Sequence, residues 1–244
     1  MRPIHEERML TMLNDNWNRI ATRRGVLRGS AIAGGGALAL AAGGRAVLGQ
    51  VATPGAPGAA DALPIDAPDS PFADEVEVLN YALTLEHLEA TFYREGNAQF
   101  VVADYEALGF QASVLDYVVE VGAHEQTHVD TLIEVITGLG GTPVEQGTYD
   151  FGYADLTGFL GVAAALENTG VGAYTGAAQY LMGNDDLLTA ALTIHGVEAR
   201  HASYLNIVTD AASPFPEAFE TPLTPAEVLE IATPFFVTEA TPVA

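Results

Sequence analysis

The sequence predicts an all-α protein in which four long helices form a bundle with one long crossover connection, followed by a short C-terminal helix. Three observations support this prediction: apolar residues recur at helical spacing, capping residues bound the segments, and the connections have characteristic lengths. The four segments have roughly 23 to 28 residues each, or about 35–42 Å of helix at about 1.5 Å per residue. Four helices of similar length are typical of a bundle.

Local signals set the boundaries of the four helices. Asp74 and Glu77 fit a capping box that begins the first helix, and Gly96 is predicted to end it. Ser113 is predicted to begin the second helix and Asp155 the third. The predicted helices span residues 74–96, 113–138, 155–182, and 184 or 185 to about 210.

The connections between the helices predict the topology. The third and fourth helices are joined by only two or three residues, so they must be antiparallel. Residues 97–112 are apolar enough to hold a short helix. The sixteen residues of segment 139–154 could extend over roughly 50 Å. We interpret this segment as the long crossover, with a loose hairpin loop as the alternative.

The C-terminal segment, residues 211–244, contains six prolines and one clear helix signal. Thr224 and Glu227 form a capping box with Pro225 at the first helical position, which predicts a helix over about 225–232. We expect this segment to dock on the bundle through four apolar residues: Leu229, Ile231, Phe235 and Phe236.

The N-terminal residues 1–50 differ from the rest in charge and resemble an export signal. Seven of the nine basic residues, all Arg, lie here. Arg23 and Arg24 precede the Gly/Ala-rich run 29–44, a pattern similar to a twin-arginine translocation signal. We therefore expect export to the cell surface or the extracellular space. A buried Gly/Ala helix is the alternative, and Met9 or Met12 could be the true start.

Residues 51–73 are rich in Pro, Ala, Asp and Gly, which predicts a flexible linker before the bundle at 74–210. The run 29–44 is too short and too weakly apolar to span a membrane. We therefore expect no stable membrane span in the mature protein.

Composition excludes several classes of function. The net charge is −23 and there is no Lys, so nucleic acid is not an expected partner. There is no Cys, which excludes disulfides, thiolate metal sites and thiol nucleophiles. Acid-rich, Lys-free sequences of this kind resemble proteins of salt-loving microbes, where salt screens the repulsion between like charges. The oligomeric state is left open.

Each of the four helices carries a glutamate within its apolar stripe, and two of the four are followed by a histidine three residues later. Residues three or seven apart share one face of a helix, so each Glu-x-x-His pair points the same way. In order along the chain these residues are Glu86, Glu125, His128, Glu167, Glu198 and His201. One Glu or Glu-x-x-His per helix in this order is the ligand set of dimetal carboxylate bundles.

Charge supports a metal site at these residues. Four ionised carboxylates in a core would be very unfavourable without neutralisation, and after residue 50 only Arg94 and Arg200 are basic. Two divalent cations would balance four glutamates, and carboxylate with imidazole suits Fe or Mn. We therefore predict two Fe or two Mn ions, with Zn or a mixed pair as alternatives. A weak repeat, in which Glu86 and Tyr93 match Glu167 and Tyr174, fits a site with twofold pseudosymmetry.

The chain resembles the ferritin-like superfamily, and within it the exported family sometimes described as desiccation-related. The resemblance covers about residues 74–236 and includes LNYALTLEHLEATFY and FETPLTPAEVLEIATPFF. It implies a ferritin-like bundle and a carboxylate-bridged centre held by the same six residues. By analogy it implies reaction with oxygen or peroxide, as in a ferroxidase or catalase, under stress. No residue is assigned a catalytic role.

Two other hypotheses remain at this point. His124, Glu125 and His128 match the H-E-x-x-H zinc-peptidase motif, with Glu145 as a third ligand. The other is a non-catalytic stress-protective or binding bundle in which metal is structural or absent.

Four further residues have open roles. Glu89 could replace or supplement Glu86. His195, one turn before Glu198, is the better candidate to contact a ligand, and His87 is the weaker one. Arg200 is expected to cap or pair with acids on the surface or beside the site.

Overall fold

The computed structural model describes residues 70–210 and 212–237. The predicted export signal and nearly all of the predicted linker lie outside these residues. Within them the chain forms six α-helices, which confirms the all-α prediction: α1 (Glu75–Gln99), α2 (Val102–Ala107), α3 (Ser113–Gly138), α4 (Leu156–Ala177), α5 (Asp185–Thr209) and α6 (Pro225–Ala232). Short 3-10 turns extend α4 over Ala178–Leu181 and α6 over Thr233–Phe235.

No helix in the described ranges is both long enough and apolar enough to cross a membrane.

Side-chain caps begin most of these helices where the sequence predicts. Asp74 accepts from the Glu77 amide at 3.0 Å, and Asp155 from the Gly158 amide at 2.8 Å. Asn184 and Thr224 cap α5 and α6 in the same way. Helix α3 begins at Ser113, as predicted, although no side chain caps its first turn.

Gly96 does not end α1, contrary to the prediction. The helix continues to Gln99, and Gly96 is buried where α1 crosses α4. A Cβ at this position would overlap the ring of Phe159, which is fully buried and stacks on Phe92 with ring centroids 4.7 Å apart. The glycine therefore allows close packing of two helices and does not act as a stop signal.

A Gly96→Ala variant is expected to lower the free energy of unfolding by about 1–3 kcal/mol, because the overlap with Phe159 outweighs the gain in helix propensity. Gly161→Ala is the matched control. Gly161 lies inside α4 with nothing within 4 Å of an added Cβ, so alanine should raise stability by up to about 1 kcal/mol. Urea unfolding of both variants measures the difference, and equal effects would refute the packing role of Gly96.

Segment 139–154 is the long crossover. It runs along α1 from its N-terminal to its C-terminal half: Asn80 accepts from the Val144 amide at 2.7 Å, His87 Nε2 lies 3.1 Å from Val144 O, and Phe151 packs against Phe92. Since α4 then starts beside the end of α1, α4 runs antiparallel to α1 and parallel to α3. Helix α1 packs closely with α3, and α4 packs closely with α5.

The C-terminal segment docks on the bundle, but not through all of the predicted residues. Helix α6 buries Val228 and Ala232, whereas Leu229 and Ile231 are 44% and 40% exposed. A helix of eight residues presents only one narrow stripe to its neighbour. In α6 this stripe consists of Val228 and Ala232, which lie four residues apart on one face. Phe235 and Phe236 are both partly buried against the core, as predicted. Phe236 also pairs with Tyr149 of the crossover in an isolated β-bridge.

Candidate metal centre

The four bundle helices bring all six predicted residues together in the middle of the core. The four glutamates are fully buried and the two histidines are nearly so. Helix α1 supplies Glu86 and α4 supplies Glu167, while α3 and α5 each supply a glutamate and the histidine that follows it. The matching positions on the four helices therefore meet at one level of the bundle.

The six residues form two overlapping clusters, each able to hold one metal ion. In each cluster one ligand atom per residue lies within 4.8 Å of every other. One cluster contains Glu86 and His128, the other contains Glu167 and His201, and both contain Glu125 and Glu198. The geometry thus separates two shared glutamates from two glutamates that each serve one cluster.

In the first cluster three carboxylates converge on one nitrogen of His128. Its Nδ1 lies 3.1 Å from Glu86 Oε2, 3.0 Å from Glu125 Oε2 and 3.2 Å from Glu198 Oε1. The second cluster repeats this at His201, whose Nδ1 lies 3.0 Å from Glu125 Oε1. A single N–H cannot donate well to three acceptors at once. Four ligand atoms around one point, three carboxylate oxygens and one imidazole nitrogen, are instead the arrangement that a bound cation requires.

The shared glutamates have buried carboxylate oxygens that are poorly satisfied. Oε1 of Glu125 and both oxygens of Glu198 make no hydrogen bond of good geometry in the described structure. Glu125 Oε1 and Glu198 Oε1 lie 3.0 and 3.2 Å from the Nδ1 atoms of His201 and His128, which they share with other carboxylates. Leaving a buried carboxylate oxygen unpaired is unfavourable by at least roughly 1–3 kcal/mol. These oxygens belong to the two residues common to both clusters, so divalent cations would satisfy them.

Neither arginine of the described residues neutralises the site. Arg94 donates to Thr91 Oγ1 at 3.2 Å, and Arg200 is exposed and donates to the Gly196 carbonyl of its own helix. The expected pairing of Arg200 with surface or neighbouring acids is not seen among the described contacts. The balancing positive charge must therefore come from the histidines or from bound metal.

Two buried tyrosines hold the unshared glutamates. Tyr93 donates to Glu167 Oε1 and Tyr174 donates to Glu86 Oε1, both at 2.5 Å. Burial, together with the adjacent carboxylate, raises the pKa of each tyrosine well above its usual value. Both therefore stay protonated donors, and the pair obeys the twofold pseudosymmetry that the sequence repeat predicts.

Without metal the site holds protons. Burial raises the pKa of Glu125 to about 7 and raises the pKa of Glu198 well above its usual value. Burial alone would lower the pKa of His201, but the carboxylates of Glu125 and Glu167 raise it to about 9. The pKa of His128 is likewise raised by the glutamates around it, against the effect of burial. Protonated imidazoles therefore partly replace the cations.

The pKa of Glu86 moves in the opposite direction. Burial raises it, but the charge of His128 and the hydrogen bonds from His128 and Tyr174 together lower it below its usual value.

Glu89 is buried beside the site but belongs to neither cluster. Burial and the charges of neighbouring glutamates, Glu198 first, raise its pKa well above the usual value, which favours the neutral acid. The repeat places Gly170 opposite it, and a Cβ there would lie 3.4 Å from both Glu89 Oε1 and Glu198 Oε2. The absence of a side chain at 170 leaves room for this fifth carboxyl group.

His124 is a neighbour of the centre whose role the sequence did not predict. Its Nδ1 lies 3.0 Å from Nε2 of His201, and the two rings stack at an interplanar angle of 10°. The residue favoured for this role, His195, instead contacts Thr175 at 3.0 Å. The His-Glu-Gln-Thr-His signal placed His124 near the centre, but its ring direction depends on how closely α3 approaches α5.

The geometry does not favour the zinc-peptidase hypothesis. That motif needs His124 and His128 on one ion, but His124 belongs to no cluster of ligands found among the described residues. Glu145, the third ligand of that hypothesis, is exposed in the crossover and also belongs to no such cluster.

A family model described as a ferritin-like domain matches residues 74–211, more than half of the chain. None of the curated proteins compared matches the chain.

Proposed function

We propose, from the premise that this chain belongs to the ferritin-like family, that its core binds two divalent metal ions, Fe or Mn, and uses them in oxidation by oxygen or in removal of peroxide. The observation that supports this most is the pair of four-residue clusters sharing Glu125 and Glu198, whose poorly satisfied buried oxygens match what bridging ligands must offer. The stress-protective role implied by the family resemblance belongs to this proposal.

The ligand assignments follow the membership of the clusters. Glu86 and His128 would bind one ion, Glu167 and His201 the other, and Glu125 and Glu198 both. Carboxylate and imidazole suit Fe and Mn, and they also accept Zn, so the metal in the native protein must be measured. When bound, Fe or Mn would supply the electron transfer that no side chain of this site offers.

The surrounding residues orient the ligands and exclude water. Tyr93 and Tyr174 fix one oxygen of each unshared glutamate, while the other oxygen faces its cluster, 3.1 Å from the histidine Nδ1. His124 contacts Nε2 of His201, and such contacts behind a ligand histidine fix its tautomer and ring direction. Buried Leu and Phe side chains of α1 and α4 separate the carboxylates from solvent.

Oxygen and peroxide consumption by the loaded protein tests the proposed reaction. Protein loaded with Fe(II) or Mn(II) should consume one of these oxidants faster than the same metal free in buffer. A Glu198→Ala variant, which lacks a shared ligand, should not exceed the buffer rate. Protein that binds two ions but stays at the buffer rate would refute the redox role and favour a structural metal.

We also propose export through the twin-arginine route to the cell surface or the extracellular space. The proposal depends on Arg23 and Arg24 before the Gly/Ala-rich run, residues that lie outside the described structure. N-terminal sequencing of protein recovered from outside the cell tests it. A mature start between the end of the signal and the bundle supports export, whereas retention of the full-length chain in the cytoplasm contradicts it.

A further inference from the structure

One partly enclosed cavity lies between the bundle helices, next to the proposed metal centre. It has a volume of about 40 Å³ and is lined by all four long helices. Ala82, Leu132 and Ile194 of its wall each lie one helical turn from a glutamate or histidine of the centre, or about 6 Å along the axis. Tyr174, which donates to Glu86, forms the wall between the cavity and the site.

The wall of this cavity offers almost no polar groups. Its only polar side chains are Thr131 and Tyr174, and the hydroxyl of each already donates, to the Thr127 carbonyl and to Glu86 respectively. The remaining wall is aliphatic and includes five alanines, whose small side chains leave the space open: Ala82, Ala177, Ala178, Ala190 and Ala191.

Size and polarity together select a class of ligand. A cavity needs roughly 10–15 Å³ to hold one water molecule, so about 40 Å³ is enough for a small molecule. Water needs two to four polar partners, and apolar cavities of this kind stay dry while accepting apolar guests such as xenon. Peroxide would lose its hydrogen bonds to water without replacement, which is unfavourable.

We infer that this cavity is a binding site for a small apolar gas, dioxygen in the functioning protein, held next to the Glu86 side of the centre. The inference that the gas is a substrate depends on the proposed function, whereas binding in the cavity does not require metal. Among the two oxidants proposed above, the cavity favours dioxygen over peroxide, because only dioxygen gains from apolar surroundings.

Xenon is the probe for the site. Methyl NMR spectra of the full chain, with and without chelator, are recorded under increasing xenon pressure. We expect saturable shifts confined to methyl groups around the cavity, including those of Leu132 and Ile194. Absence of these shifts, or shifts only at surface methyls, would overturn the proposal.

Filling the cavity provides the second arm of the test. Ala191→Val, and separately Ala82→Val from the opposite helix, should abolish the xenon-dependent shifts. Ala165→Val is the matched control, because Ala165 is exposed within α4 and does not line the cavity. Retained xenon shifts in both filled variants would overturn the proposal. The xenon titration of the unmodified chain decides the question even if a filled variant fails to fold.

Oxygen kinetics connect the site to the reaction. In Fe(II)-loaded protein, Ala191→Val should raise the KM for oxygen at unchanged metal content, with no change in the Ala165→Val control. An unchanged KM would overturn the role of the cavity as a substrate site. If xenon binds but the chain takes up no metal, the proposed function fails while the gas site stands. If metal binds but xenon does not, the gas site fails alone.

Discussion

Replacing Glu198 by alanine is expected to abolish binding at both metal positions, whereas replacing Glu86 should remove about one ion per chain. Glu198 contributes to both clusters, and Glu86 contributes to only one. Loss of Glu198 leaves each ion one carboxylate short and reduces the negative charge that holds the pair. Loss of Glu86 leaves the second cluster of Glu125, Glu167, Glu198 and His201 intact.

The experiment is metal analysis of purified variants after loading with Mn(II) and removal of free metal. Glu134→Ala is the control, because Glu134 is an exposed glutamate on α3, away from the site. Glu89→Ala should keep both ions, since Glu89 belongs to neither cluster. Equal metal content in the Glu198 and Glu86 variants would refute the division into shared and unshared ligands. Loss of metal from the Glu89 variant would make Glu89 a ligand.

Removing the metal is expected to destabilise the fold strongly. Each site occupied at about one hundred times its Kd stabilises by about 2.7 kcal/mol, so two sites give about 5 kcal/mol. For a domain of this size that lowers Tm by about 10–20 °C. Circular dichroism melts with and without chelator measure the change. A chelated protein that melts at the same temperature as the loaded one contradicts a metal-stabilised core.

The stabilisation by metal should grow as pH rises. The pKa of His201 is about 9 in the folded protein and about 6.5 in the unfolded chain. Its contribution to the stability of the metal-free protein is therefore full below about pH 6.5 and is lost as the pH rises through about 9. Glu125, with a folded pKa of about 7, likewise binds its proton more tightly when folded, so metal-free stability also falls from about pH 4.5 to about 7. Metal displaces these protons, so binding strengthens with pH.

The measurement is the difference in Tm between loaded and chelated protein across about pH 5 to about pH 9. The difference should widen steadily as pH rises, because the metal-free protein loses stability while metal competes with fewer protons. The Glu134→Ala variant should show the same widening as the unmodified chain. A difference that narrows with pH would contradict the assignment of His201 and Glu125 as proton-holding ligands.

Local sequence signals predicted most of the helices and all six residues of the site. Asp74 and Asp155 cap their helices because an N-cap requires only a side chain and an amide three residues on. The ligands could be found because burial of a glutamate within an apolar stripe is itself unusual, and spacings of three and seven fix a shared face. These signals depend on neighbours within one helix.

The sequence-based predictions were wrong where the role of a residue depends on its contact with another helix. Gly96 carries the usual signal for a helix end, yet it is needed for the close approach of Phe159 across the bundle. The contact of His124 with His201 depends on the relative position of α3 and α5, which residue spacing does not give. For the same reason α6 docks through Val228 and Ala232 and not through Leu229 and Ile231, since the bundle surface selects which face is covered.

Whether the six buried residues hold a pair of metal ions is tested most directly by the metal content and spectrum of the native protein. We predict about two ions of Fe or Mn per chain, released by chelator and restored on reloading. Native protein with no more metal than the Glu198→Ala variant, before and after loading, would contradict this prediction.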